Sequence, residues 1–275
     1  MKKILLIICL YATTFAGCKT SKDAVTQSSA EKDYKMAIKN YTKSIKENPN
    51  YYEAYDYRGN AKQHLRDYPG AISDYEKALQ IKPDFANAYD DMGNAKQNLH
   101  DYQGALDAYS KAIEIKPDYT RAYDDRGNTK QHIEDYTGAI EDYNKALEID
   151  PNFAVAYADR GNAKQNLKNY EDAIDDFNRS ANINPGLAPV YDYRANVRMH
   201  LHDTAGAIAD YGKAIELNPG FARAYFDRGN TKQNMRDYSG AIADYDKALK
   251  IEPNYSAAYF NRGNAKRQLA KSGQH

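Results

Sequence analysis

The chain has 275 residues and a formal net charge of zero, with 38 basic against 38 acidic side chains. This balance offers no basic surface for a phosphate backbone, so it argues against nucleic acid as a partner. The two cysteines lie at residues 9 and 18, near the start of the chain, and they exclude a fold that depends on internal disulfides.

Residues 1–17 have the layout of a secretory signal peptide. Two lysines precede an apolar run that is too short to span a membrane, and small residues follow it. The ending FAGC at residues 15–18 resembles the lipobox of bacterial lipoproteins, although leucine is more usual than phenylalanine at its first place. The resemblance implies cleavage before Cys18 and a lipid anchor on that cysteine. An ordinary secretory leader is the alternative.

Most of the remaining chain repeats a unit of 34 residues, which is clearest in residues 222–255. With Ala222 as position 1, proline recurs at position 32, glycine at position 8, alanine at position 20 and an aromatic residue at position 24. A fixed period of this length indicates a solenoid of one repeated helical unit. Residues 18–30, which precede the repeats, are polar and aperiodic and predict a lipid-anchored flexible tether.

The repeated positions resemble the pattern of the tetratricopeptide repeat (TPR). The resemblance implies an all-α, helix-turn-helix solenoid wound as a right-handed superhelix. Six full units cover residues 52–255, an N-terminal half repeat covers 31–51, and a capping helix with a tail covers 256–275. Two positions depart from the family pattern: position 7 is mostly arginine instead of leucine, and position 11 is lysine or arginine instead of tyrosine.

Each unit is predicted to hold a helix A, from about position 34 of the preceding unit to position 14, and a helix B, from about position 17 to 31. Asparagine, aspartate or glycine at position 33 predicts an N-cap for helix A, with Asn50 and Glu53 forming a capping box in the first unit. Aspartate or asparagine at position 16 predicts an N-cap for helix B. Small residues at positions 8, 20 and 27 are expected where the two helices approach closely.

Charged residues occupy a helix A face that should be buried. Position 7 is arginine in most copies, and position 23 of helix B is aspartate in five of the six full units. The second unit has Met92 and Ala108 at these positions, so both charges are missing together. Because removal of one partner strands the other charge, this joint loss predicts an Arg–Asp pair in the other units. Chance is the alternative.

In TPR arrays the concave wall is built mainly from positions 2, 5, 9, 12 and 13 of helix A, so the resemblance implies a binding groove there. Asparagine fills position 9 in every copy, and an amide offers both a donor and an acceptor to the main chain of an extended peptide. The alternative is that duplicated units inherit asparagine as a structural residue. The predicted groove residues are Asn60, Asn94, Asn128, Asn162, Asn196, Asn230, Asn264, Gln97, Gln131, Gln165, Asp90 and Asp124.

Catalytic and metal-binding constellations are not evident in the sequence. His64, His132 and His200 are two units apart, which is too far for one metal ion. We therefore expect no enzymatic activity and no cofactor, and we expect neither a small-molecule substrate nor a nucleic acid partner.

The expected function is a protein–protein interaction scaffold that binds a partner protein or an extended peptide in the concave groove. The expected location is the bacterial cell envelope, where the lipid anchor would hold the chain at the outer membrane, on its periplasmic side, or at the cell surface. An assembly factor, pilotin-like or part of an outer-membrane or secretion machinery, is the alternative. An enzyme of unrecognised type is a further, less favoured one.

Residues 180–204 depart from the repeat at four otherwise regular positions, and Pro189 falls near the start of a helix A. Neutral drift would explain these departures without any function for the joint. The alternative is that the joint is functional, as a local bend or as a partner-specific patch. We expect this joint to open earliest in hydrogen exchange among the interior units.

Overall fold

A computed structural model of the chain describes residues 21–273, which form fourteen helices and no strand. The helices are α1 (Ser21–Glu47), α2 (Tyr52–His64), α3 (Tyr68–Ile81), α4 (Ala86–Asn98), α5 (Tyr102–Ile115), α6 (Thr120–His132), α7 (Tyr136–Ile149), α8 (Ala154–Asn166), α9 (Tyr170–Ile183), α10 (Ala188–His200), α11 (Thr204–Leu217), α12 (Ala222–Asn234), α13 (Tyr238–Ile251) and α14 (Ser256–Ser272). Even-numbered helices are A helices and odd-numbered ones are B helices. The all-α repeat architecture predicted from the period is therefore confirmed.

The N-caps of the B helices were predicted correctly in five full units and wrongly in one. At each of the five, the position 16 aspartate accepts a hydrogen bond from the backbone N–H of the glycine at position 19, as Asp135 does from Gly138 at 3.0 Å. A Cβ on Gly138 would lie 2.3 Å from the carboxylate, so glycine leaves the space that the cap needs. The fourth unit has Asn169 and Asp172 at these two positions, and Asn169 makes no capping bond.

The predicted N-caps of the A helices were wrong. The N-cap residue is position 34, an aromatic residue or leucine, and its side chain makes no capping bond. The predicted capping box of Asn50 and Glu53 is absent, because Asn50 instead donates its N–H to Oδ1 of Asn48 within the preceding turn. Position 34 contributes packing in place of a cap, as Phe153 does beside Ala146 and Ala156.

The turn from helix A to helix B always passes through a left-handed residue, although none of these residues is glycine. Each has φ between 61° and 65°. The N–H of Glu134 bonds the carbonyl of Gln131, and the next N–H, of Asp135, bonds the carbonyl of Lys130, which is the Schellman arrangement at a helix end. The residues are Arg66, His100, Glu134, Lys168, His202 and Arg236.

The close approach of helix A to helix B depends on glycine at position 8 and the aromatic ring at position 24. A Cβ on Gly127 would lie 2.7 Å from Cε1 of Tyr143, so no larger residue fits without a shift of the ring. Tyr143 is fully buried, and the equivalent rings of the other five full units are at most 2% exposed. The predicted contact of small residues between the two helices is therefore confirmed.

The predicted Arg–Asp pair is present in five units and includes a third partner. Arg160 bonds Asp176 through two nitrogens, at 2.5 and 2.9 Å, and Nζ of Lys164 lies 2.8 Å from the same carboxylate. Arginine or lysine at position 11, which departs from the family pattern, is thus the second cation of a triad. The Asp176 side chain is only 4% exposed, and Arg160 also covers the ring of Tyr157 at 5.3 Å.

Contacts between helices show which side of the solenoid is concave. Over residues 21–273, each helix contacts its neighbours along the chain, and successive A helices also contact one another. Successive B helices in the same range make no such contact. The A helices are therefore closer together than the B helices, so they line the inner surface of the curve.

The structure differs from the sequence predictions at the start of the described range. Helix α1 begins at Ser21, so residues 21–30 are helical and the prediction of a flexible tether there was wrong; the period carried no signal for a helix outside the repeats. The predicted signal peptide and the predicted lipidation site, Cys18, lie outside the described residues. At the other end, α14 is the last helix of the array, and Gly273 follows it in the left-handed conformation.

The irregular joint holds the largest apolar cluster among residues 21–273. Val190 and Val197 replace the smaller residues of other units, and they pack with Phe177 and Tyr191. Ser180, which replaces alanine, is buried and donates to the carbonyl of Ala154 at 2.7 Å. Early opening of this joint stays a prediction, but this packing opposes it.

Candidate binding groove on the A helices

The asparagines at position 9 lie on the A helices as predicted, but most of them already bond neighbouring side chains. Oδ1 of Asn60 accepts from the hydroxyl of Tyr75 at 2.8 Å, while its Nδ2 donates to Asp91 of the next unit at 3.0 Å. Five of the seven asparagines accept from a tyrosine hydroxyl at position 24: Asn60, Asn94, Asn128, Asn196 and Asn230. This geometry favours a structural role for those five amides.

The remaining asparagines have other partners. Asn162 accepts from the amide of Asn166 at 3.3 Å, and Asn264 accepts from Arg267. The glutamines at position 12 join the same network: Gln97 accepts from the hydroxyls of Tyr109 and Thr129, and Gln131 donates to Tyr143 and to the carbonyl of Asp159. Gln165 is the one glutamine in residues 21–273 whose buried side-chain oxygen has no hydrogen-bond partner.

The fourth unit lacks the hydroxyl that the other five units supply. Phe177 stands where the others have tyrosine, so neither Asn162 nor Gln165 receives that hydrogen bond. We expect Phe177→Tyr to raise the free energy of unfolding by about 0.5–1.5 kcal/mol, because the new hydroxyl meets a buried unpaired acceptor. Urea denaturation measures the change. Tyr143→Phe, which removes the same hydroxyl from the third unit, should lower stability by a similar amount, and equal stability of Phe177→Tyr and wild type would contradict the prediction.

The aspartates at position 5 are buried in the inner wall. Asp56, Asp90, Asp124 and Asp192 are at most 3% exposed. In each of them Oδ1 accepts no hydrogen bond from residues 21–273. A second row of acids, at position 6, lies beside them: Asp91, Asp125, Asp159 and Asp227. The sequence analysis included Asp90 and Asp124 but missed the position 6 acids, since spacing alone did not show that both rows meet between adjacent A helices.

Two arginines at position 2 reach into these acids from the next unit. Nε of Arg121 lies 2.9 Å from Oδ2 of Asp90, and its Nη2 lies 2.7 Å from Asp91. Nε of Arg223 lies 3.5 Å from Oδ2 of Asp192. Both arginine side chains are more than two-fifths exposed, so a cation can approach these buried carboxylates from the groove surface.

Burial shifts the pKa of these carboxyls upward. Burial, with the charge of Asp91 adding to it and Arg121 opposing it, raises the pKa of Asp56 to about 8. Burial raises the pKa of Asp192 to about 7 against the opposing charge of Arg223. Burial and the nearby charge of Asp159 place the pKa of Asp124 well above its usual range.

These shifts predict that stability falls as pH rises. Asp56 lies near Glu53, Asp91 and Arg121. Between about pH 4 and pH 8 its carboxyl group is protonated in the folded chain but ionised in the unfolded chain, so folding becomes less favourable as pH rises. We expect Asp56→Asn to be more stable than wild type at about pH 9, by at least the ~1.4 kcal/mol of one pKa unit. The difference should shrink towards about pH 5, where the wild-type carboxyl is neutral in the folded state.

Thermal unfolding at the two pH values checks this expectation. Asp118→Asn, at an exposed position, controls for the loss of one negative charge. A stability difference between Asp56→Asn and wild type that is the same at both pH values would contradict it.

The histidines of the A helices stack on tyrosines. The ring centroids of Tyr170 and His200 are 4.7 Å apart and nearly parallel, and Tyr34–His64 and Tyr102–His132 pair in the same way. Within residues 21–273, no three His, Cys, Asp or Glu side chains are grouped in a way that could hold a metal ion.

Solved structures share this architecture. The Cut9–Hcn1 structure of the APC/C superposes with a TM-score of 0.73 at 15% identity, over 88% of this chain and 47% of the other, so this chain spans about half of that one. MamA is 27% identical with a TM-score of 0.53, over 68% of this chain and 94% of MamA. YrrB, described as a TPR protein with an unusual peptide-binding site, is 22% identical with a TM-score of 0.54, over 69% and 97%.

No curated protein matches the chain. Family models described as "Tetratricopeptide repeat" and "TPR repeat" match it at residues 66–99, 86–119, 133–168, 154–186 and 222–255. Repeats of this kind generally mediate protein–protein interaction and are typically non-catalytic. From its sequence matches and its paired helices, the chain belongs to the tetratricopeptide repeat family.

Proposed function

We propose that the protein is a non-catalytic scaffold of the bacterial cell envelope that binds an extended segment of a partner protein along its A helices. The observation that carries this proposal is the continuous inner wall of A helices, which contact one another along the whole array. A peptide lying across several units could contact each of them, and many weak contacts would then add up.

Polar side chains of this wall support the choice of a peptide ligand. Position 13 is exposed on the A helices, for example at Asn98, His132 and Asn166, and it carries amide or imidazole groups. Such groups can bond a main chain whatever its side chains are. YrrB, which shares the fold, is described as having an unusual peptide-binding site.

Site-specific photocrosslinking tests the location of the partner. A crosslinking residue at Asn98 or Asn166 should capture partner proteins in envelope extracts, because both are exposed positions on the A helices that form the proposed groove. The matched controls are exposed positions on an outer helix, Glu141 and Lys145 of α7. Capture from the outer positions only would overturn the proposal and move the partner to the convex face.

The envelope location rests on the leader and Cys18. Residues 21–273 contain no helix that is long and apolar enough to cross a membrane. In this proposal a lipid on Cys18 attaches the chain to the membrane. Cys18→Ala should abolish labelling by a fatty acid and release the protein from the membrane fraction. A wild-type chain that takes up no label would contradict the lipoprotein assignment while leaving the groove proposal intact.

A further inference from the structure

The acids between adjacent A helices form four sites, and two of these contain an arginine of the chain itself. Between the second and third units, Asp90, Asp91 and Asp125 surround Arg121. The Arg121 Nε–Oδ2 distance to Asp125 is 3.3 Å, so one guanidinium is shared by three carboxylates. We call this a closed site, because a cation at position 2 fills it.

One unit further along the chain, the equivalent three acids recur, but the following unit has no arginine at position 2; Asp125, which both sites share, is held by Arg121. Asp124, Asp125 and Asp159 occupy the positions that Asp90, Asp91 and Asp125 hold in the closed site, and Val155 replaces the arginine. Asp124 is 2% exposed, its Oδ1 has no partner among residues 21–273, and its Oδ2 accepts only a long bond of 3.4 Å from Asn128.

The remaining two sites repeat this contrast. Between the fifth and sixth units, Asp192 and Asp227 hold Arg223, with Tyr193 beside them. Between the first and second units, the equivalents are Asp56 with its unpartnered Oδ1, Tyr57 and Asp91, and position 2 is Asn87. Asp91 is bonded by Arg121 and Asn60, so Asp56 is the acid of this site that lacks a donor on Oδ1.

We infer that the two sites without a position 2 arginine, at Asp124–Asp159 and at Asp56–Asp91, bind arginine side chains of the partner segment. This inference rests on the proposed function and names the ligand chemistry of the groove. The partner's guanidinium takes the place that Arg121 and Arg223 hold in the closed sites.

The chemistry of the acids favours a guanidinium. It carries donors in a planar fork, which suits several carboxylates at once, as Arg121 shows. In the closed site Arg121 contacts Oδ2 of Asp90, and the equivalent Oδ2 of Asp124 has only the 3.4 Å bond from Asn128. A guanidinium in that place would give this buried carboxylate a short, charge-assisted donor. Burial is the main cause of the raised pKa of Asp124, and the nearby charges of Asp159 and Asp125 raise it further, so a bound cation would also relieve this repulsion.

Peptide binding to the full chain tests the inference. The probes are fluorescein-labelled glycine–serine peptides that carry two arginines at varied spacings, each with a partner peptide in which citrulline, a neutral analogue, replaces arginine. We expect at least one arginine peptide to bind about tenfold or more tightly than its citrulline partner, since it alone pairs with the buried carboxylates. Fluorescence anisotropy measures both affinities.

Variants of the chain show where the arginine binds. Val155→Arg copies Arg121 and should fill the site from within, so the affinity of the best arginine peptide should fall about tenfold. The matched control is Ala257→Arg, which adds the same charge at position 2 where Phe226 replaces the buried aspartate; it should change the affinity little. Circular dichroism verifies folding, and Asp124→Asn with Asp159→Asn should lower the affinity in the same way as Val155→Arg.

Three outcomes would overturn the inference: arginine and citrulline peptides that bind alike, no binding of any arginine peptide, or equal effects of Val155→Arg and Ala257→Arg. Equal binding of both peptide types would leave the proposed peptide scaffold standing. Failure of the scaffold itself is recognised separately, by photocrosslinks that arise only from the outer helix.

Discussion

Replacing Arg160 and Lys164 together by methionine should lower the free energy of unfolding by about 3–5 kcal/mol. Both cations of the triad are then gone, and Asp176, which is 4% exposed, keeps a charge without a partner. Arg160→Met alone should cost less, because Lys164 still lies 2.8 Å from the carboxylate. Urea denaturation of the three proteins gives the two differences.

The second unit supplies the control for this experiment. It has Met92, Lys96 and Ala108 at the positions of the triad, so the fold accepts a unit without the aspartate. Arg160→Met with Asp176→Ala copies that unit and should be more stable than the variant that lacks both cations. Equal stability of the two double variants would show that the unpaired charge of Asp176 does not cause the lower free energy of unfolding.

Removing the aromatic ring of one unit should have an effect of similar size. Tyr143 is fully buried against Gly127, so Tyr143→Ala leaves a cavity between helix A and helix B of the third unit. The expected loss is about 3–5 kcal/mol, the range for large aromatic residues replaced by alanine. Tyr143→Ala also removes the hydroxyl group that donates a hydrogen bond of 2.8 Å to Asn128.

The loss should be concentrated in one part of the array. Because units contact only their neighbours, a weak third unit should separate the units on either side, and unfolding should then occur in more than one step. Hydrogen exchange resolves which units open. Phe260→Ala, at a ring that is 68% exposed, is the control, and an equally small effect of Tyr143→Ala would contradict the argument.

Most of the fold could be predicted from the sequence, because proline and glycine mark the ends and contacts of each unit directly. The Arg–Asp pair was predicted from a single joint loss, at Met92 and Ala108. Its third member was not, because spacing does not show which carboxylate a long lysine side chain reaches. The A-helix caps were predicted wrongly, since the polar residue at position 33 stands next to an aromatic residue whose packing sets where the helix begins.

The groove was harder to predict than the fold. Asparagine at position 9 and tyrosine at position 24 both recur in nearly every unit, and the sequence alone does not show that they bond each other. Variation between units carries more information than repetition does. Arginine at position 2 occurs only at Arg121 and Arg223, beside acids, and this pattern was the available signal for the closed sites.

Contacts restricted to neighbouring helices also bear on how such a protein can change over evolutionary time. Duplication or deletion of a 34-residue segment in the gene would add or remove one junction and leave the contacts of all other units as they are. Neighbouring copies with similar sequences are natural substrates for such recombination. The length of the inner surface, and the number and order of its arginine-filled and arginine-free sites, can therefore change one unit at a time while the remaining units keep their structure.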